Sequence, residues 1–200
     1  MSIIDRNVPD KLSHAFNIIP QPIFDALLQL NEKLDGKTIK WTITGDLGEA
    51  LRVVKVDPDC VEILATSEDA ERILEAVEAY QPKKGEIKVQ KLDRNANIQG
   101  EEYPVSIRSY YFDFNIGAVP VRVYGDLQYK INDWDWGDKL EFTPDYTYIV
   151  GKKTALVPLP VKLELYQMLG WTDRSEKIQQ ALPRLPTGSQ VISPNAHNER

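Results

Sequence analysis

The sequence predicts an α+β fold, a two-layer arrangement of one mixed β-sheet flanked by helices, and three observations lead there. Apolar residues at helical spacing stand near both ends of the chain, at Pro22–Leu34 and from Pro158 onward. Between Thr38 and Ala65 two β-branched, strand-like segments enclose a glycine turn and a short helical stretch. The longest alternating run, Val105–Tyr124, folds back on itself about Gly117-Ala118, which is hairpin chemistry.

In chain order, Ile23, Leu27, Leu28 and Leu30 fall along one side of the first helix, and Gly36 ends it. Thr38–Thr44 (TIKWTIT) reads as a strand that stops at Gly45-Asp46. Asp46–Val53 follows as a short helix with Asp46 as its cap. The acidic turn Asp57-Pro58-Asp59 leads into a buried strand, Cys60–Ala65. Thr66 or Ser67 then caps a helix over Glu68–Tyr80, with Ala70, Ile73, Leu74 and Val77 facing inward.

The polar stretch from Gln81 to Glu102 offers one strand, Glu86–Lys91. If Gly117-Ala118 is the whole loop of the next hairpin, Ile116 faces Val119, Phe114 faces Val121 and Asp113 faces Arg122. One face is then core, and the face carrying Asp113, Asn115 and Arg122 is available. A Trp- and Asp-rich loop, Asn132–Asp138, precedes a second hairpin, Tyr146–Val150 and Lys153–Val157, around Gly151. Pro158 and Pro160 introduce a C-terminal helix with Val161, Leu165, Met168 and Leu169 on one side, bent at Gly170 before Asp173–Leu182. The division is an N-terminal extension at 1–20, a domain at 21–182, and a flexible tail at 183–200 whose Pro, Ser, Asn and Gly content has no apolar period.

Composition narrows the chemistry. A chain 42% hydrophobic and 27% charged can build an ordinary globular core. No apolar run approaches the roughly 20 residues that span a bilayer, and MSIIDRNVPDKLSH lacks the parts of a signal peptide, so a cytoplasmic protein is expected. The lone Cys60 excludes an intramolecular disulfide and a cysteine-cluster metal site. The two histidines, His14 and His197, sit near the termini, which disfavours a zinc site or a Ser-His-Asp triad. A net charge of −6 argues against general nucleic-acid binding. Carboxylates, lysines and arginines remain as the carriers of any chemistry.

The unit from Trp41 to Ile63 is the informative one: strand, Gly45-Asp46, short helix ending in Arg52, then Cys60-Val61-Glu62-Ile63. It resembles the nucleotidyltransferase superfamily, the polymerase-β-like fold. That signature is a Gly-Ser or Gly-Gly at a helix start, a spacer of about a dozen residues, an acid-apolar-acid-apolar strand, and a third carboxylate on a later strand. A glycine turn admits phosphate to backbone N–H groups, and strand alternation turns two carboxylates to one side, where they hold Mg²⁺. Two metals can then clamp an in-line transfer. The likeness runs from about Trp41 to Ile178, with Ala118–Gln128 in the place of the third-acid strand and Pro158–Ile178 in that of the closing helix. The pattern of Gly125-Asp126 followed by Asp133–Asp138 is similar to archaeal proteins of this superfamily.

The resemblance implies a nucleotidyltransferase-like mixed sheet, a nucleoside triphosphate as partner, Mg²⁺ as cofactor, and an acceptor that is a small molecule, a protein or an RNA end. It also exposes departures. Asp46 stands where a serine would help hold triphosphate, Cys60 stands at the first strand acid, and the third falls on Arg122; only the second is acidic, as Glu62. The catalytic set implied is Glu62 with Asp46 or Asp59, with Glu62 and Asp46 as metal ligands; Gly45, Arg52, Arg108, Arg122 and Arg174 are the nucleotide-binding set.

Three functions stay open: metal-dependent nucleotidyl transfer, a non-catalytic nucleotide- or anion-binding descendant, and an interaction module using the Trp loop and C-terminal helix. Glu62, in an otherwise apolar strand, needs a wet cleft or a cation, and Arg122 is the obvious cation, with Asp113 competing for it. Cys60 reads as a small buried residue without a basic neighbour to activate it. Trp134 and Trp136 read as loop anchors before a base-stacking surface.

Overall fold

The structure, a computed structural model, describes residues 19–184. Most of the N-terminal extension and nearly all of the tail lie outside the described residues. A seven-stranded mixed sheet runs in the order β3-β6-β7-β2-β1-β9-β8, where β1 is Trp41–Thr44, β2 Val61–Ala65, β3 Glu86–Lys91, β6 Val105–Ile116, β7 Val119–Ile131, β8 Asp145–Ile149 and β9 Lys152–Leu156. A small hairpin, β4 (Ala96–Ile98) and β5 (Glu101–Tyr103), stands apart. The helices are α1 (Gln21–Leu34), α2 (Gly45–Ala50), α3 (Ser67–Ala76), α4 (Leu159–Met168) and α5 (Thr172–Ala181). Among the described residues, no helix is long and apolar enough to cross a membrane.

Alternation along the central strands divides the molecule. Ile43, Val61, Ile63, Phe112, Phe114, Val121 and Val123 are buried in one large cluster with Ile23, Leu27 and Leu30 of α1 and Ala70 and Ile73 of α3. Leu64, Ile107, Tyr111, Tyr124 and Leu127 alternate with those residues and form a second cluster, joined by Val157 and roofed partly by Leu140 and Phe142. The second cluster is the one that borders the cleft described below.

The β6–β7 hairpin keeps the expected register, with Ile116 opposite Val119, Phe114 opposite Val121 and Asp113 opposite Arg122. It also runs further than the alternation suggested. β7 continues to Ile131 through Gly125 and Asp126, and a register shift between Arg108 and Tyr110 accommodates them. Gly125 is required there because a Cβ would lie 2.9 Å from the Ser67 Cα, so α3 packs directly on bare backbone. The β8–β9 hairpin begins one residue earlier than expected, because Val150 and Gly151 both take positive φ and make a tight two-residue turn.

Other elements correct the sequence reading. Thr44 holds the N-cap position of α2 without a side-chain capping bond, and Asp46 lies inside the first turn. The Glu68–Tyr80 helix divides into α3, capped by Thr66 accepting from the Asp69 N–H, and a 3₁₀ turn at Glu78–Tyr80. The β4–β5 hairpin was not anticipated; it docks through Asn97 N–H to the Leu169 carbonyl. In α4 the buried side is Leu159, Lys162 and Tyr166, whereas Met168 is exposed. An apolar count misses that stripe because its centre is a lysine.

Candidate functional site

β1 ends at Thr44, and the chain turns into α2 through Gly45, whose φ is +62°. β2 runs antiparallel beside it, pairing Thr44 with Glu62. The Glu62 carboxylate consequently lies over Gly45: a Cβ on that glycine would stand 1.9 Å from Glu62 Oε2. Two features that the sequence joined only by spacing are therefore in van der Waals contact. Glu62 Oε1 accepts from the Tyr124 hydroxyl at 3.2 Å and lies 3.6 Å from Arg122.

The Glu62–Arg122 relation comes from strand register. β2 and β7 are parallel neighbours with Glu62 opposite Arg122, so both side chains leave the same face. Asp113, the competitor for Arg122, is engaged elsewhere, by Lys83 Nζ at 2.7 Å and the Tyr111 hydroxyl at 2.9 Å. The Arg122 guanidinium also lies 3.6 Å from Cys60 Sγ. Burial, then the charge of Glu62, push the Cys60 thiol up to about 12, which makes it inert at neutral pH.

Behind the turn lies a buried charge network that motif reasoning missed. Glu49 of α2 is fully buried. Its Oε1 receives Lys162 Nζ at 2.7 Å and the Tyr166 hydroxyl at 2.6 Å, and Arg174 stands 3.0 Å from Oε2. Lys162 also donates to the Gly45 carbonyl at 2.7 Å, and Arg174 bonds Asp46. The network ties the glycine turn to α4 and α5. Burial lowers the Lys162 pKa, opposed by Glu49. Burial also raises the Tyr166 hydroxyl, and the Glu49 charge adds to that. A buried-side glutamate in α2 and a lysine at i, i+4 to a tyrosine were the available signals for Glu49 and its partners; of the network's members, Asp46 and Arg174 were expected at the site from sequence.

These elements frame a cleft of about 220 Å³. One end is charged, with Gly45, Asp46, Glu62, Lys162 and Arg174; the remaining walls are mostly aliphatic and aromatic. Of the residues singled out from sequence, Gly45, Asp46, Glu62 and Arg174 meet here. The others stand elsewhere. Arg52 is buried against Asp145 at 2.9 Å and the Leu156 carbonyl, so it braces β8 and β9. Arg108 bonds Gln128 Oε1 at 2.8 Å and lies 4.7 Å over the Trp136 ring. Asp59 is exposed ahead of β2 and borders Cys60. Trp136 is partly buried beneath that arginine, but Trp134 is exposed beside Tyr103, so only one of the two tryptophans anchors the loop.

Among the described residues, no group of three or more His, Cys, Asp or Glu side chains could hold a metal ion. The two carboxylates at the cleft, Glu62 and Asp46, each face a guanidinium. Two carboxylates already paired with arginines are a donor set that does not fit a two-metal centre.

No protein-family model matches the chain, and no curated protein matches it in sequence. A structural match exists with a Thermotoga maritima protein described as a "putative nucleotidyltransferase". The two are 20% identical with a TM-score of 0.56, over 80% of this chain and 92% of the other. At that identity the match speaks for the fold. This chain has a nucleotidyltransferase-like fold, a central mixed sheet flanked by helices.

Proposed function

We propose that the chain is a nucleotide-binding protein on a nucleotidyltransferase-like scaffold, with Arg122 standing where metal-dependent transfer would need its third carboxylate. The observation that carries this is the in-register Glu62–Arg122 pair. A guanidinium in that position neutralises the surviving acid and repels a divalent cation. Around the cleft the charges of Asp46, Glu49 and Glu62 are matched by Lys162, Arg174 and Arg122, so the site neither attracts nor expels a polyanion strongly. A triphosphate would gain its contacts by drawing Arg174 from Asp46, while the base rests on the apolar walls.

The test is calorimetric titration with ATP, with and without Mg²⁺, alongside an assay for pyrophosphate release. Binding of comparable strength in both conditions, without pyrophosphate release, is the expected result. No binding in either condition would sink the proposal.

A second reading is Mg²⁺-dependent nucleotidyl transfer, favoured by Glu62 and Asp46 lining the same cleft. One Mg²⁺ needs only one or two protein carboxylates when substrate phosphates complete its shell. It would show as Mg²⁺-dependent binding and pyrophosphate release that Glu62→Gln abolishes.

A further inference from the structure

The cleft's aromatic side chains carry polar tips, and the direction of those tips decides what the cleft can recognise. Tyr124 gives its hydroxyl to Glu62 at 3.2 Å. Tyr166 gives its hydroxyl to Glu49 at 2.6 Å, away from the walls. Trp171 commits its indole N–H to the Asn95 carbonyl at 2.7 Å. Tyr129 is the remaining aromatic, and its hydroxyl is the one tip in the lining without such a commitment among the described residues. No asparagine or glutamine lines the cleft; the Thr44 hydroxyl and the charged lining groups gather around Gly45, at the charged end, where the charges are already paired.

We infer that this cleft accepts a nucleobase by apolar contact and stacking and does not read its hydrogen-bonding edge. The inference rests on the nucleotide-binding reading above. A site built with aimed donors and acceptors rejects the wrong partner by roughly 10⁴–10⁵-fold, because its own polar groups are left unpaired; an apolar pocket lacks that penalty. Every base has a π-face, so stacking tolerates all four. The volume of about 220 Å³ falls below the roughly 300–1,000 Å³ of pockets that enclose whole ligands, so it suits one ring system, with sugar and phosphates leaving past Asp46 and Arg174.

Two comparisons isolate the edge from the size of the ring. ATP and GTP share a purine and differ at the edge; CTP and UTP share a pyrimidine and differ likewise. Titration of the intact protein with each should give dissociation constants within about tenfold inside each pair, with purines tighter than pyrimidines from their larger stacking area. A preference above tenfold within either pair overturns the inference while leaving nucleotide binding intact. Failure of all four to bind overturns the nucleotide reading itself, and this inference with it. Tyr129→Phe supplies a second check: the ATP-to-GTP ratio should stay within threefold of the parent's, and a larger change would mean that this hydroxyl reads the base.

Discussion

Single residues at the turn set the local energetics. Gly45→Ala would force a side chain into positive φ, a strain of about 1–3 kcal/mol, and press its methyl into Glu62. Urea denaturation should register that loss, and an alanine variant as stable as the parent would refute the close packing. Lys162→Met would leave the buried Glu49 with Arg174 and Tyr166 alone, a cost toward the lower end of about 3–5 kcal/mol for breaking a buried pair. Adding Glu49→Leu should restore most of the stability, since the uncompensated charge is then gone. Cys60, with its thiol held up near 12, should resist alkylation at pH 8 in the folded protein and react once guanidinium unfolds it.

At the scale of elements, β6 holds an acid-sensitive bridge. Burial alone would raise Asp113, but hydrogen bonds from Lys83 and Tyr111 and the Lys83 charge outweigh it, and its pKa is lowered. A depressed carboxylate adds stability above its unfolded value of 3.8, and that stability is lost as pH falls through the folded value. Unfolding free energies measured between about pH 2 and 5 should decline with acid, and Asp113→Asn should flatten part of the decline. An unchanged slope would remove this bridge from the account. The β6–β7 register and a cap at Thr66 or Ser67 were legible because both follow from side-chain period and local hydrogen bonding. The extension of β7 past Asp126 was not, since Gly125-Asp126 carries turn chemistry and only packing against α3 keeps it in the sheet. For the same reason the Glu49–Lys162–Arg174 network was hidden: its members are far apart in sequence, and charge pairing there overrides the apolar pattern.

Over the whole molecule, the sheet ends in β3 and β8, which have no further strand beside them among the described residues, and each carries exposed apolar side chains, Ile87 and Val89 on one and Tyr146 and Tyr148 on the other. Such edges are templates for unwanted pairing. Val89→Lys should leave the melting temperature nearly unchanged, as surface substitutions usually stay within about 0.5 kcal/mol. It should also lower concentration-dependent light scattering; scattering equal to the parent's would clear that edge. The fold class was readable from element order, whereas the cleft's walls were not, because they are assembled from β2, β6, β7, α4, α5 and the loop before β8. The contact of Glu62 with Gly45 reaches beyond this chain. Where a bare α-carbon supports a carboxylate, the turn cannot gain a side chain alone: a larger residue there demands a smaller one on the strand. Across relatives of this fold, a side chain should appear at the turn position only where the strand position carries a smaller residue, so the glycine should persist for as long as the acid remains above it.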